Sequence, residues 1–194
     1  MRVLPIPQTV YLPGDPDLAF ATVHPAGPHA THDAGVLLCP PFGWDEVCAY
    51  RSLRLWAARL AADGYTSLRL SHPSTGDSGG WPRDPDRIGA WIASVGSAAA
   101  WLREVASVRR IVAIGIGLGG IVAYSSAGES GVDDLVLWGT PSQGRVLTRH
   151  LNAFGKLERA RFYEGIEPGP EPAGGRDRGR LRVKRRYGYA SERD

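Results

Sequence analysis

The chain has 194 residues, 43% of them hydrophobic and 22% charged, with a formal net charge of +3. That length suits one domain with a substantial core. No stretch approaches the roughly 18 consecutive apolar residues of a membrane span, so a cytoplasmic location without membrane association is expected. The charge is localised: from Gly165 onward there are eight basic residues against five acidic ones, so the body is balanced and only the tail is basic. The basic run 176–186 has no interleaved aromatics and no binding motif, and a nucleic-acid partner is not expected. Cys39 and Cys48 read as two buried thiols, without the spacing of a disulfide framework or metal site, and neither a metal nor a cofactor is expected.

In chain order, 8–12 and 18–24 read as short strands joined at Pro13-Gly14-Asp15, an N-terminal hairpin. Residues 35–39 are a buried strand that stops at Pro40-Pro41-Phe42-Gly43. A helix follows in which Val47, Tyr50, Leu53, Trp56 and Leu60 recur every three or four positions, ending near Asp63-Gly64. The unit then repeats, with a strand at 65–70 and a loop at 72–81. Asp84-Pro85 reads as the N-cap and first-turn proline of a helix bearing Ile88, Trp91, Val95, Leu102 and Val105 on one face. A third strand begins at Ile111 and a fourth spans 133–138. Strands alternating with helices predict a parallel sheet covered on both faces, an α/β fold preceded by a hairpin. The stripe Val146, Leu147, His150, Leu151, Phe154, Leu157 predicts a helix over 144–163, expected to act as a lid with His150 on its core-facing side. The domain is expected to span 1–164. From Glu167 the composition is Pro, Gly and Arg without periodicity, and 165–194 is expected to be a disordered basic tail.

The most informative stretch is Ile111-Val112-Ala113-Ile114-Gly115-Ile116-Gly117-Leu118-Gly119-Gly120. An apolar run suited to burial on both faces breaks into glycines that permit a tight turn and a close helix approach. Two functional turns fit. Gly115, Gly117 and Gly120 match the dinucleotide fingerprint G-x-G-x-x-G, and Gly115, Gly117 and Gly119 match the frame of the nucleophile elbow G-x-S-x-G. The fingerprint demands an acid at the carboxyl end of the next strand. Asp133 and Asp134 precede that strand, and its carboxyl end is Trp138-Gly139-Thr140, which favours the elbow.

The chain resembles the α/β-hydrolase family over roughly residues 8–164. The resemblance is carried by Leu37-Leu38-Cys39-Pro40-Pro41-Phe42-Gly43, by Ser71-His72-Pro73-Ser74-Thr75-Gly76-Asp77-Ser78-Gly79-Gly80, by the glycine turn, and by Leu137-Trp138-Gly139-Thr140-Pro141, in that order. It implies a three-layer α/β sandwich and an ester or acyl hydrolase. It also implies an oxyanion hole built from the backbone NH of Leu118 and of Phe42 or Gly43. The nucleophile slot then falls on Gly117, which has no hydroxyl, and the family's later acid and histidine strands are not recognised in 165–194. The resemblance therefore implies an impaired hydrolase, or a non-catalytic protein that holds a small carbonyl- or carboxylate-containing molecule or a protein partner. By the family's strand order, 135–138 would be an exposed apolar edge covered by a second copy or a partner. Among side chains near the expected site, His72 is a pocket candidate, Asp77 is suited to orienting an amide or amine, and Ser78 is a loop hydroxyl whose common role is bonding to backbone.

Overall fold

The computed structural model describes residues 5–15, 17–27 and 32–162; the tail expected over 165–194 lies outside them. The chain divides after Leu151 into two units, and the sheet belongs entirely to the first.

Strands β1 (Gln8–Leu12) and β2 (Ala19–His24) form the predicted antiparallel hairpin, with Val10 opposite Ala21. Strands β3 (Ala34–Cys39), β4 (Thr66–Leu70), β5 (Arg110–Ile116) and β6 (Asp134–Trp138) are parallel, in the order β1-β2-β4-β3-β5-β6. β2 joins β4 antiparallel, and β3 lies between β4 and β5. Helices α1 (Trp44–Ala62), α2 (Arg87–Glu104) and α3 (Leu118–Ser126) connect them, and α4 (Gly144–Phe162) follows β6.

Alternation along the strands builds the layers. Leu37, Cys39, Ile111 and Ala113 point to one face, where Trp91, Val95, Ala98, Ala99 and Leu102 of α2 and Val122 and Ala123 of α3 close over them with Ala21, Val23, Leu68 and Leu70. Val36, Leu38, Ile114 and Ile116 point to the other face and meet Leu53 and Ala57 of α1.

Several expectations shift. α1 faces the sheet through Leu53, Ala57 and Ala61 with Trp56 and Leu60 of the predicted stripe packed beside them, while Val47 and Tyr50 at its start are exposed; alanines let the helix approach closely, and the pattern of bulky residues alone overlooks them. Cys48, expected to be buried, lies exposed on the same helix. In α2 the middle of the predicted stripe is buried, but Ile88 and Val105 at its ends are exposed. Its N-cap is Asp86, two residues beyond the predicted Asp84, and its carboxylate accepts from the Gly89 NH. His150 of α4, expected to face a core, is exposed, as are Val146 and Leu151. An amphipathic helix carries an apolar stripe whether or not anything covers it.

Among the described strands β6 is an outer one, and Val136, Leu137 and Trp138 are 44%, 45% and 59% exposed. Trp138 rests against Trp56 of α1 with ring centroids 5.1 Å apart.

The α2 face carries most of the core. Leu102→Ala, which empties a fully buried site between α2 and the sheet, should lower unfolding free energy by about 2–5 kcal/mol in a denaturant titration. Ile88→Ala at the exposed end of the same helix should stay within about 0.5 kcal/mol.

Candidate functional site at the strand-to-helix turn

β5 runs into α3 through Gly117, whose backbone sits at φ 55° and ψ −121°. Few residues with a Cβ adopt a positive φ. The Gly117 NH donates to the Trp138 carbonyl at 3.0 Å, and the Gly120 NH donates back to the Gly117 carbonyl at 3.2 Å. The turn is therefore tied to the end of β6 and closed on itself. A Cβ at 117 would find Pro41 Cβ at 3.4 Å, an ordinary contact, so its space is open even though its backbone is unusual. Gly119 is the opposite case. A Cβ there would collide with the carbonyl oxygens of Pro40 and Cys39 and fall 2.8 Å from the Cys39 carbonyl carbon. This close approach brings the first turn of α3 against the end of β3.

α1 begins in the same way. Its cap, Gly43, has φ 68° and ψ −129°, close to the values at Gly117, and its carbonyl accepts from the Glu46 and Val47 amides. Both helices thus start beyond the carboxyl ends of adjacent strands, β3 and β5, and neither has a side-chain cap. α1 carries Asp45 and Glu46 in its first turn, whereas α3 carries no acid there. The positive end of the α3 dipole therefore meets no carboxylate from its own first turn.

Phe42, from the loop between β3 and α1, packs on Trp91 with ring centroids 5.2 Å apart. His72 stacks on Trp91 at 5.2 Å. His72 is 3% exposed; Ser94 Oγ gives its proton to the Trp91 carbonyl at 2.7 Å and accepts from His72 Nδ1 at 3.3 Å. That arrangement leaves Nε2 as the unprotonated nitrogen, buried without a partner. Burial holds its pKa down to about 4. His72 is thus a neutral buried ring stacked on the same tryptophan that packs against Phe42.

Ser78 takes a backbone-bridging position: Oγ donates to the Ser71 carbonyl at 2.7 Å and accepts from the Phe20 NH at 2.8 Å. Asp77 is exposed and, with Glu46, Tyr50, Arg69 and Gly76, lines a cavity of about 140 Å³ between α1 and the carboxyl ends of β3 and β4. Gly117, Leu118 and Phe42 are not among its walls. Glu46, whose carboxyl is pushed above the usual range by burial, went unnoticed in the sequence because a helix-first-turn acid usually serves the dipole. Cys39 is fully buried, and its thiol is pushed up to about 12; Ser126 Oγ donates to the Ala123 carbonyl. Among the described residues no group of His, Cys, Asp and Glu is placed to hold a metal, and no helix is long and apolar enough to cross a membrane.

This layered sheet with its covering helices has the α/β fold of solved α/β serine hydrolases and esterases. A hypothetical protein of Pseudomonas aeruginosa superposes with a TM-score of 0.61 at 21% identity, over 80% of this chain and 54% of its own. An esterase of Pyrococcus furiosus gives 0.61 at 20%, over 78% and 56%. An α/β serine hydrolase without a lid from Xanthomonas campestris gives 0.57 at 18%, over 68% and 60%. The chain thus spans a little over half the length of these proteins. No family model and no curated protein matches the sequence.

Two measurements probe this geometry. Gly119→Ala should lower the melting temperature sharply because backbone atoms cannot yield, while Gly117→Ser should cost only the strain of its positive φ, about 1–3 kcal/mol. The second concerns pH. Because the His72 pKa is depressed in the folded chain, its stability contribution is complete above about pH 6.5. It is lost as pH falls toward 4, where the unfolded chain binds a proton that the folded one does not. His24 is shifted in the same direction by burial and then by Arg69 and Arg54. Melting temperature should therefore fall between pH 7 and 4, and His72→Asn should flatten part of that slope.

Proposed function

We propose that this chain belongs to the ester- and acyl-hydrolase class of α/β-hydrolase-fold proteins and that its elbow holds a small carbonyl or carboxylate group without cleaving it. The observation that carries this is the tip residue: Gly117 occupies the turn between β5 and α3 with φ 55° and an open Cβ direction, yet has no functional group. Acyl transfer needs a nucleophile, a base in reach of it and donors for the oxyanion. Only donors are in prospect here. The Leu118 NH at the start of α3, with the NH of Phe42 or Gly43 from the neighbouring loop, would supply them, and the α3 dipole would favour a partly negative oxygen. What supports a binding role further is that Cys39 and Ser126 are buried and Ser78 is tied to backbone at both its donor and acceptor positions.

The dinucleotide alternative has less in its favour. The Asp133 carboxylate accepts from the Ile111 NH at 2.7 Å and pairs with Arg103 at 2.9 Å, at the start of β5 and therefore at the opposite end of the strand from Gly117.

Hydrolysis of p-nitrophenyl butyrate tests the proposal. The protein should release p-nitrophenol no faster than its Gly117→Trp variant, and Gly117→Ser should show no acylation burst. In ¹⁵N spectra, butyrate should shift the Leu118 amide in the unaltered protein and not in Gly117→Trp. Turnover well above the Gly117→Trp variant, or a burst in Gly117→Ser, would overturn the non-catalytic reading.

A further inference from the structure

The two faces of the sheet differ in chemistry at β2 and β4. Toward α2 these strands present Ala21, Val23, Leu68 and Leu70, all buried and apolar. Toward α1 they present Thr22, His24, Ser67 and Arg69, in a sheet whose strands β3 and β5 present Val36, Leu38, Ile114 and Ile116 to the same helix. Ser67 is satisfied, its hydroxyl donating to the Ala57 carbonyl at 3.0 Å. The other two nitrogen-bearing side chains are not. His24 is 4% exposed and its Nε2 has no partner, and Arg69 Nε is likewise buried without one. The Arg69 guanidinium lies over the Tyr50 ring at 5.1 Å, and among the described residues no carboxylate forms an ion pair with Arg69 or with nearby Arg54. Buried polar groups in folded proteins nearly always find a partner, and an unsatisfied one calls for an explanation.

These three residues share a cavity. Arg54, His24 and Arg69 line a space of about 400 Å³ beside the C-terminal half of α1, whose remaining walls include Pro5, Ile6, Leu55 and Ala58. No acidic residue is among its walls. Two guanidinium groups and an imidazole in a cleft whose other walls are apolar apart from Thr22 match the usual design of a ligand pocket, in which a few polar groups orient a molecule that apolar walls enclose. Arginine suits carboxylate and phosphate because its planar fork donates two parallel hydrogen bonds.

We propose that this cavity is a binding site for an organic anion, a carboxylate or phosphate group carrying a short apolar chain. The head is held by Arg54 and Arg69 with His24 Nε2 as a further donor, and the chain lies against Ile6, Leu55 and Ala58. This site is separate from the elbow, whose residues do not line the cavity, and it stands whether or not the elbow binds a carbonyl.

Calorimetric titration of the full chain with sodium hexanoate tests it, with sodium hexyl phosphate, hexan-1-ol and hexylammonium chloride as comparisons. Hexanoate or hexyl phosphate should bind saturably and at least about tenfold more tightly than the alcohol or the amine, as expected for a charge-assisted contact. Arg54→Gln, a change on the exposed side of α1, should weaken that binding about fivefold or more. Ala58→Trp, which fills the cavity without touching a charge, should abolish it. Gly117→Trp should leave it unchanged. Circular dichroism verifies that each variant folds, and Arg54→Gln carries the test alone if Ala58→Trp does not. Equal binding of hexanol and hexanoate, or anion binding that survives Arg54→Gln, would overturn the proposal. Binding lost only in Gly117→Trp would move the anion to the elbow and overturn this inference while favouring the elbow reading.

Discussion

The approach of α3 to the end of β3 is the constraint on which the site depends. Gly119 lies so close to the Cys39 and Pro40 carbonyls that no side chain fits between them. A helix of nine residues has little stability of its own, so α3 exists because Gly119, Gly120, Val122, Ala123 and Ser126 are buried against the sheet and α2. If the contact with β3 loosened, that burial would go with it. The turn before α3 is then held from two directions, by the β3 loop against its first residues and by the Trp138 carbonyl on the Gly117 NH. Its conformation is thus set by the sheet and not by the chemistry of the residue at its tip, which is why a glycine can occupy that position without collapse of the fold.

The same logic explains what could be read from the amino-acid sequence. The strands were legible because Val36 to Cys39 and Ile111 to Ile116 are apolar runs ended by proline or glycine, and the hairpin because Pro13-Gly14-Asp15 separates two alternating segments. The glycine turn was legible because the constraint on it is steric and leaves a compositional mark. The inner face of α1 was legible only in part: Leu53, Trp56 and Leu60 of the stripe pack toward the core, whereas Ala57 and Ala61 mark that face by being small and Val47 and Tyr50, larger and more conspicuous, lie outside. The start of α2 was misplaced because Asp86 caps it from a left-handed conformation, φ 52°, which local spacing gives no reason to expect when Asp84-Pro85 offers a conventional alternative.

Site residues separate along similar lines. Ser78 was suited to backbone bonding by its place in a glycine-rich loop, and it bridges Ser71 and Phe20. The environment of His72 was hidden, because it is made by Trp91 and Ser94 from a helix some twenty residues away. Arg69 and His24 gave no signal as a pair. They become neighbours only because β2 turns antiparallel onto β4, with His24 opposite Ser67 and Thr22 opposite Arg69.

That pairing also identifies an anomaly in the sheet. Inner strands of a parallel sheet are apolar on both faces because helices cover both, and β3 and β5 follow that rule. β4, with Thr66-Ser67-Leu68-Arg69-Leu70, alternates as a strand with one wet face would, although β2 and β3 flank it. A helix seated squarely over β4 would bury Arg69 and His24 at a cost of several kcal/mol if they stayed unpaired. The structure avoids part of that cost: α1 presents Tyr50 to the Arg69 guanidinium and the Ala57 carbonyl to Ser67, and beside its C-terminal half the cleft stays open. Two arginines without a carboxylate between them raise the local potential, and it falls most when an anion enters. The polar strip on β2 and β4 and the open cleft beside α1 are therefore one feature: the strands supply the donors, and the helix, by not closing over them, leaves the space in which they act.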